Sequence, residues 1–269
     1  MNTLTTPASL PIARQLDVSG RTALVTGGFS GLGEHFAQVL ASHGARVALL
    51  GRRETLGHEV AARIAAGCGR PGEVRAYSCD VTDAAAVQRA FAAAEADLGL
   101  PTIVVNNAGT VGRAPSVDVT PEQWDAVVQT NLSGVFRVAQ VAARAMMRGG
   151  QGGSIINIAS ILGLRVRAQV ASYAATKAAV VQLTQALALE WAEHRIRVNA
   201  IAPGYFETDI NRDLLNSPMG QALVSRIPMQ RVGQMPELDG PLLLLASDAS
   251  SFMTGAVVPV DGGHLVNTL

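Results

Sequence analysis

Cysteine is scarce. Cys68 and Cys79 are the only two in 269 residues, too few for a disulfide scaffold and not spaced as metal ligands. Both read as plain thiols, which fits a reducing, cytoplasmic setting, and no metal site is expected. Excess charge is lacking as well, since 21 basic and 21 acidic residues cancel. Without a block of one sign, neither a nucleic-acid footprint nor a polybasic membrane surface is expected. Long apolar runs are also missing: stretches such as 242–246 fall far short of the ~20 residues of a membrane span. The first 17 residues hold no apolar core of a signal peptide and read as a flexible arm. The partner left by these exclusions is a small molecule.

What is present is a chain that is 48% hydrophobic and rich in glycine, long enough for one α/β domain over 18–269. Short β-rich runs near 22–26, 46–50, 74–78, 102–105, 154–159, 197–202 and 257–260 read as strands. Between them lie segments of helical period near 31–43, 54–66, 83–98, 121–147, 172–194 and 237–246. Several strands are apolar on both faces, which requires helices above and below. The fold class is therefore α/β, a Rossmann-type doubly wound parallel sheet of about seven strands.

The first strand runs into Thr26-Gly27-Gly28-Phe29-Ser30-Gly31-Leu32-Gly33 and a helix follows at once. Glycine there permits a sharp turn and a close backbone approach to a pyrophosphate, and the helix N-terminus offers free N–H groups. Gly27, Gly31 and Gly33 are assigned to the phosphates. After the second strand comes Gly51-Arg52-Arg53, with no acid to bind ribose hydroxyls and two guanidiniums suited to a 2′-phosphate. NADP(H) is thus preferred, with NAD(H) the alternative, and the arginines could instead solvate the next helix. Asp80 after the third strand either accepts from an adenine amino group or caps the helix near Asp83.

Tyr173 and Lys177 stand one helical turn apart, so their head groups can share a site. An ammonium beside a phenol is expected to lower its pKa towards the range of a useful acid/base. Asn106-Asn107-Ala108-Gly109 and Asn157-Ile158-Ala159-Ser160 close the fourth and fifth strands, and ligands of open α/β sheets bind at such ends. A hydrolase is set aside, because Gly28-Phe29-Ser30-Gly31-Leu32 lacks the second glycine of a nucleophile elbow.

With its Gly27–Gly33 loop, Asn106–Gly109, Ser160, Tyr173-x-x-x-Lys177 and Pro203-Gly204 in order, the chain from Val18 onward resembles a short-chain dehydrogenase/reductase. The resemblance implies that Tyr173 exchanges the proton with a carbonyl or alcohol oxygen, that Ser160 hydrogen-bonds this oxygen, and that Lys177 tunes Tyr173 and holds the nicotinamide ribose. It gives Asn131 a part in a water-mediated proton path. It assigns Asp80 and Val81 to the adenine, Asn107, Ala108 and Gly109 to the adenosine side, and Pro203, Gly204, Phe206 and Thr208 to the nicotinamide end. Phe29, Ser30 and Leu32 are counted with the glycine loop as cofactor contacts, and Arg52 and Arg53 with its ribose. Leu162, Gln169, Tyr205 and Leu214 are expected to line the substrate pocket. The activity implied is exchange between a secondary alcohol and a ketone; a dinucleotide sensor without turnover is the alternative. A homotetramer is implied, with a homodimer as the smaller option, and Val135, Phe136, Val180, Val181 and Val257 are compatible with its interfaces. Arg165 and Arg167 are read as attracting an acidic substrate or carrier, or else as facing solvent or a subunit neighbour.

Overall fold

The computed structural model describes residues 11–70, 72–207 and 217–267. Seven parallel strands form one sheet: β1 (Thr22–Thr26), β2 (Arg46–Gly51), β3 (Val74–Ser78), β4 (Pro101–Asn106), β5 (Gly153–Ile158), β6 (Ile196–Pro203) and β7 (Val257–Val260). Their spatial order is β3-β2-β1-β4-β5-β6-β7. The chain winds outward in one direction from β1 and then in the other from β4, which opens a crevice above the C-terminal ends of these two neighbours.

Both faces of the sheet are covered because its residues are apolar in both directions. Val25, Val47, Leu49 and Ile103 pack with Phe36 and Leu40 of α2 (Gly31–Ser42), Val60 and Ile64 of α3 (Glu54–Gly67) and Leu242 of α9 (Asp239–Ala246). Leu24, Ala48, Leu50 and Val104 point the other way, towards Phe91 of α4 (Ala84–Leu98), Val138 and Met146 of α6 (Gly134–Gly149) and Leu187 of α7 (Ala171–Trp191). Each such large side chain, fully buried, contributes about 1.5–3 kcal/mol.

The segment 121–147, read as one helix, is two. Thr120 and Gln123 form a reciprocal capping box that starts α5 (Pro121–Val128), but Gln129–Ser133 is a π turn before α6 begins. The extra residue of such a turn turns a side chain out of helical register, and here it carries the fully buried Asn131 inward. Two helices lie outside the sequence reading: a single turn α1 (Ile12–Gln15), followed by Leu16 packed on the core, and the short α8 (Pro218–Val224). Neither has the apolar period that marks a helix in sequence. Val135 and Val180, read as compatible with a subunit interface, instead belong to a buried cluster with Ala159, Ala200 and Ala202. They are core residues of the monomer; Phe136 remains 38% exposed. No helix of the described residues is long and apolar enough to cross a membrane.

Candidate active site

At the end of β1 the backbone turns through Gly27 (φ +62°) into α2. A Cβ on Gly33 would lie 2.2 Å from the Gly27 carbonyl oxygen, so the helix sits against the loop at a distance only glycine allows. Ser30 at the N-cap makes no side-chain capping bond, and the first-turn N–H groups of Gly31, Leu32 and Gly33 face outward with the helix dipole behind them. This cradle fits the diphosphate of a dinucleotide. Asn107 braces it from β4: its side-chain amide donates to the carbonyls of Thr26 (3.1 Å) and Gly27 (3.3 Å). The buried Thr26 hydroxyl accepts from the N–H groups of Asn107 and Ala108, both at 3.0 Å. Sequence reading passed over Thr26, whose role depends on a partner 81 residues away.

Phe29 sits differently from its assignment as a cofactor contact. Its ring is buried, 4% exposed, and fills the space that side chains at Gly51 and Gly57 would need. Only its backbone borders the loop. The consequence reaches β2: with Phe29 underneath, position 51 has no room for an acid. Arg52 and Arg53 are both exposed; Arg53 donates to the Ser30 hydroxyl at 3.4 Å. Asp80 is held below the ordinary carboxylate range by the Thr82 N–H and hydroxyl, with Arg52 adding its charge. Asp80 bonds Thr82, while Asp83 caps α4 through the Ala85 N–H at 2.8 Å; of the two readings of Asp80, the helix cap is therefore removed. Val81 is buried against Gly134.

Across the crevice the polar groups are buried side chains. Lys177 is 4% exposed and donates from Nζ to the Ile158 carbonyl at 2.7 Å. Gly163 lets the strap after β5 rest directly on the α7 backbone, since a Cβ there would meet the Lys177 carbonyl at 2.6 Å. The Lys177 Nζ lies 5.6 Å from the centre of the Tyr173 ring. Ser160, the N-cap of the turn after β5, accepts from the Leu162 N–H at 3.1 Å and stands near enough to Tyr173 to favour its ionised form. Asn131 is pinned at both ends to Thr110: its Oδ1 accepts the Thr110 N–H and its Nδ2 donates to the Thr110 carbonyl, each at 2.8 Å. Behind them runs a buried ladder, Asn106 Nδ2 to Asn157 Oδ1 and Asn157 Nδ2 to Thr184 Oγ1, both 2.9 Å.

The electrostatics differ from expectation in one respect. The Tyr173 phenol stands above its ordinary pKa, because burial outweighs the opposite influence of Ser160. Lys177 is pushed down to about 8 by desolvation. A buried ammonium pays for its own site first, and at 5.6 Å from the ring centre it leaves the phenol protonated, the form that donates to a carbonyl.

Of the remaining assigned residues, Pro203 is buried at the end of β6 and Gly204 packs on Asp261. Phe206 is core-facing and bridges to Gly233. Leu162 and Tyr205 are half-buried, while Gln169 is exposed and holds a left-handed backbone (φ +67°). Thr208 and Leu214 lie outside the described residues. A surface groove of about 590 Å³, lined by Ala61, Ala65, Val74 and Tyr77, lies beside the edge strand β3 and away from this crevice.

Comparison with known proteins gives the family of the chain. A family model described as enoyl-(acyl carrier protein) reductase matches residues 27–264. The gluconate 5-dehydrogenase of Gluconobacter oxydans is 40% identical over 252 residues, spanning 93% of this chain and 96% of that protein. The 3-oxoacyl-acyl-carrier-protein reductase MabA of Mycobacterium tuberculosis is 39% identical over 243 residues, 90% of this chain and 92% of its own. The crystal structure of a gluconate 5-dehydrogenase from Burkholderia cenocepacia, in complex with NADP and tartrate, matches with a TM-score of 0.91 at 39% identity, over 96% of this chain and all of that one. The chain belongs to the short-chain dehydrogenase/reductase family. It is an oxidoreductase of the alcohol–carbonyl class. The relatives are named for turnover, which gives no support to a silent dinucleotide sensor.

Proposed function

We propose that this enzyme interconverts a secondary alcohol and a ketone at the crevice above β4 and β5, with Tyr173 as the acid/base. The observation that carries the reading is the convergence of Ser160, Tyr173 and the buried Lys177 where β5 ends. Ser160 orients the substrate oxygen, Tyr173 gives or takes its proton, and Lys177, anchored on Ile158, supplies positive charge behind the phenol and a donor for the nicotinamide ribose. Asn131 fixes the Thr110 loop over the lysine. When bound, the nicotinamide supplies or accepts the hydride. Gly27, Gly31, Leu32 and Gly33 hold its diphosphate, Asp80 and Val81 the adenine end, and Ala108 and Gly109 the wall between.

NADP(H) is the preferred cofactor. Arg52 and Arg53 flank the end of β2, Phe29 excludes an acid at position 51, and the related Burkholderia structure binds NADP. The protein acts in the cytoplasm as a homotetramer: both cysteines are free thiols, and Leu189 (84%) and Phe252 (103%) leave apolar surface for like subunits. The test is Tyr173→Phe. Turnover should fall about 10²–10⁴-fold while NADPH binding, followed by fluorescence, stays within about twofold. Near-wild-type turnover by the phenylalanine variant would remove Tyr173 from the chemistry.

A further inference from the structure

Between Ser160 and Tyr173 the strap inverts the usual alternation. Leu164 and Val166 face solvent at 46% and 87% exposure, whereas Arg165 and Arg167 turn inward and are half-buried. Exposing aliphatic side chains while half-burying guanidiniums runs against transfer energies, so the inward cations need a reason in the site. Arg165 has one: it donates to the His264 carbonyl and ties the strap to the C-terminal segment. Arg167 does not have as much. Among the described residues its hydrogen bond is from Nη1 to the Tyr205 hydroxyl, at 3.2 Å, and no carboxylate pairs with it.

Tyr205 brings that guanidinium to the reacting centre. It follows β6, whose Ile201 is in register with Ile158 of β5 just before Ser160. Its phenol is close enough to Tyr173 to act on it electrostatically, and its ring stacks at a tilt, 5.7 Å from His264. The other groups at this wall do not neutralise Arg167. Asp261 has both oxygens committed to the Gly263 and Leu265 N–H groups, at 2.9 and 2.7 Å. His264, pushed down by burial and by Arg165, is neutral at neutral pH.

We propose that Arg167, positioned by Tyr205, recognises a carboxylate on the substrate, so that the preferred substrate is a hydroxy acid or its keto form. The planar guanidinium fork matches a carboxylate with two parallel bonds. The inference rests on the oxidoreductase reading above and adds a substrate class to it.

The experiment compares D-gluconate with D-glucitol, the same carbon chain with an alcohol in place of the acid, and with acetoacetyl thioester in the reducing direction. The wild type should favour gluconate over glucitol in kcat/KM by about 10- to 100-fold, the worth of charge-assisted hydrogen bonds. Arg167→Gln should collapse that ratio mainly through KM, and Arg167→Lys should restore part of it. Equal losses on acid and alcohol would make Arg167 merely structural and overturn the proposal. So would a wild type that prefers glucitol or the thioester; if that turnover is lost in Tyr173→Phe, the oxidoreductase reading survives alone. No turnover of any of the three, with either cofactor, would count against both.

Discussion

Above β1 and β2 the crevice is built from backbone and from the absence of side chains: Gly27 and Gly33 leave no space for a Cβ between loop and helix, Gly31 takes a positive φ of 56°, and the open N–H groups of α2 provide the field. Above β4 and β5 it is built from side chains held in the interior: Asn106, Asn131, Asn157 and Lys177 are all at most 4% exposed. The first half tolerates no added atom. The second depends on side chains that hold one another in place. Substitutions should therefore fail in opposite ways on the two sides of one rim.

Gly33→Ala tests the first half and should have the largest effect. Its Cβ would meet the Gly27 carbonyl oxygen at 2.2 Å and the carbonyl carbon at 2.8 Å. Both are backbone, so α2 must shift away from the loop, at a cost of about 3 kcal/mol. The N–H cradle shifts with it, and NADPH affinity measured by fluorescence titration should fall about 100-fold. An alanine variant that binds as tightly as wild type would mean the cradle is not set by this contact.

Lys177→Met tests the second half, and here activity and stability should separate. Lys177 titrates near 8 in the fold against about 10.4 in an unfolded chain, a penalty of about 3 kcal/mol. Below pH 8 both states carry the proton and the penalty is felt in full. As pH rises to about 10.4 the folded protein sheds its proton first, so stability recovers with pH. After about 1 kcal/mol for the lost bond to Ile158, the methionine variant should be inactive yet about 1–2 kcal/mol more stable at pH 7, with its advantage in Tm shrinking towards pH 10. A Tm difference that does not change with pH would show that the lysine is not desolvated. Thr184→Val should act more mildly. It takes the acceptor from Asn157 Nδ2 and leaves a buried amide unpaired, lowering stability by about 1–2 kcal/mol without touching cofactor affinity.

The same contrast governs what could be read before the structure. The glycine loop, all seven strands and the Tyr173–Lys177 spacing are local patterns, and β1, β3 and β7 fall at the expected residues. The buried half depends on partners far apart in the chain: Asn131 with Thr110, Asn106 with Asn157, Lys177 with Ile158, Thr26 with Ala108. Nothing in periodicity shows a π turn at Gln129–Ser133, because one inserted residue leaves the flanking helical pattern intact. The burial of the Phe29 ring is hidden from the sequence for a related reason. Its place in the motif suggests a cofactor contact, but Gly51 and Gly57, 22 and 28 residues on, open the pocket that swallows its ring.

Arg53→Gln should have the smallest effect and is the sharpest check on the cofactor half. Arg53 is exposed and bonds Ser30 at a long 3.4 Å, so removing it costs the fold almost nothing. A 2′-phosphate on the ribose would lose one charged partner of two, since Arg52 remains beside it. NADPH affinity should fall about tenfold, more at low salt than at high, while NADH affinity stays level. If both cofactors weaken alike, Arg53 acts on the loop shared by them through Ser30; if neither does, the guanidinium serves only the start of α3, and the basis for preferring a phosphorylated ribose moves to Arg52 alone.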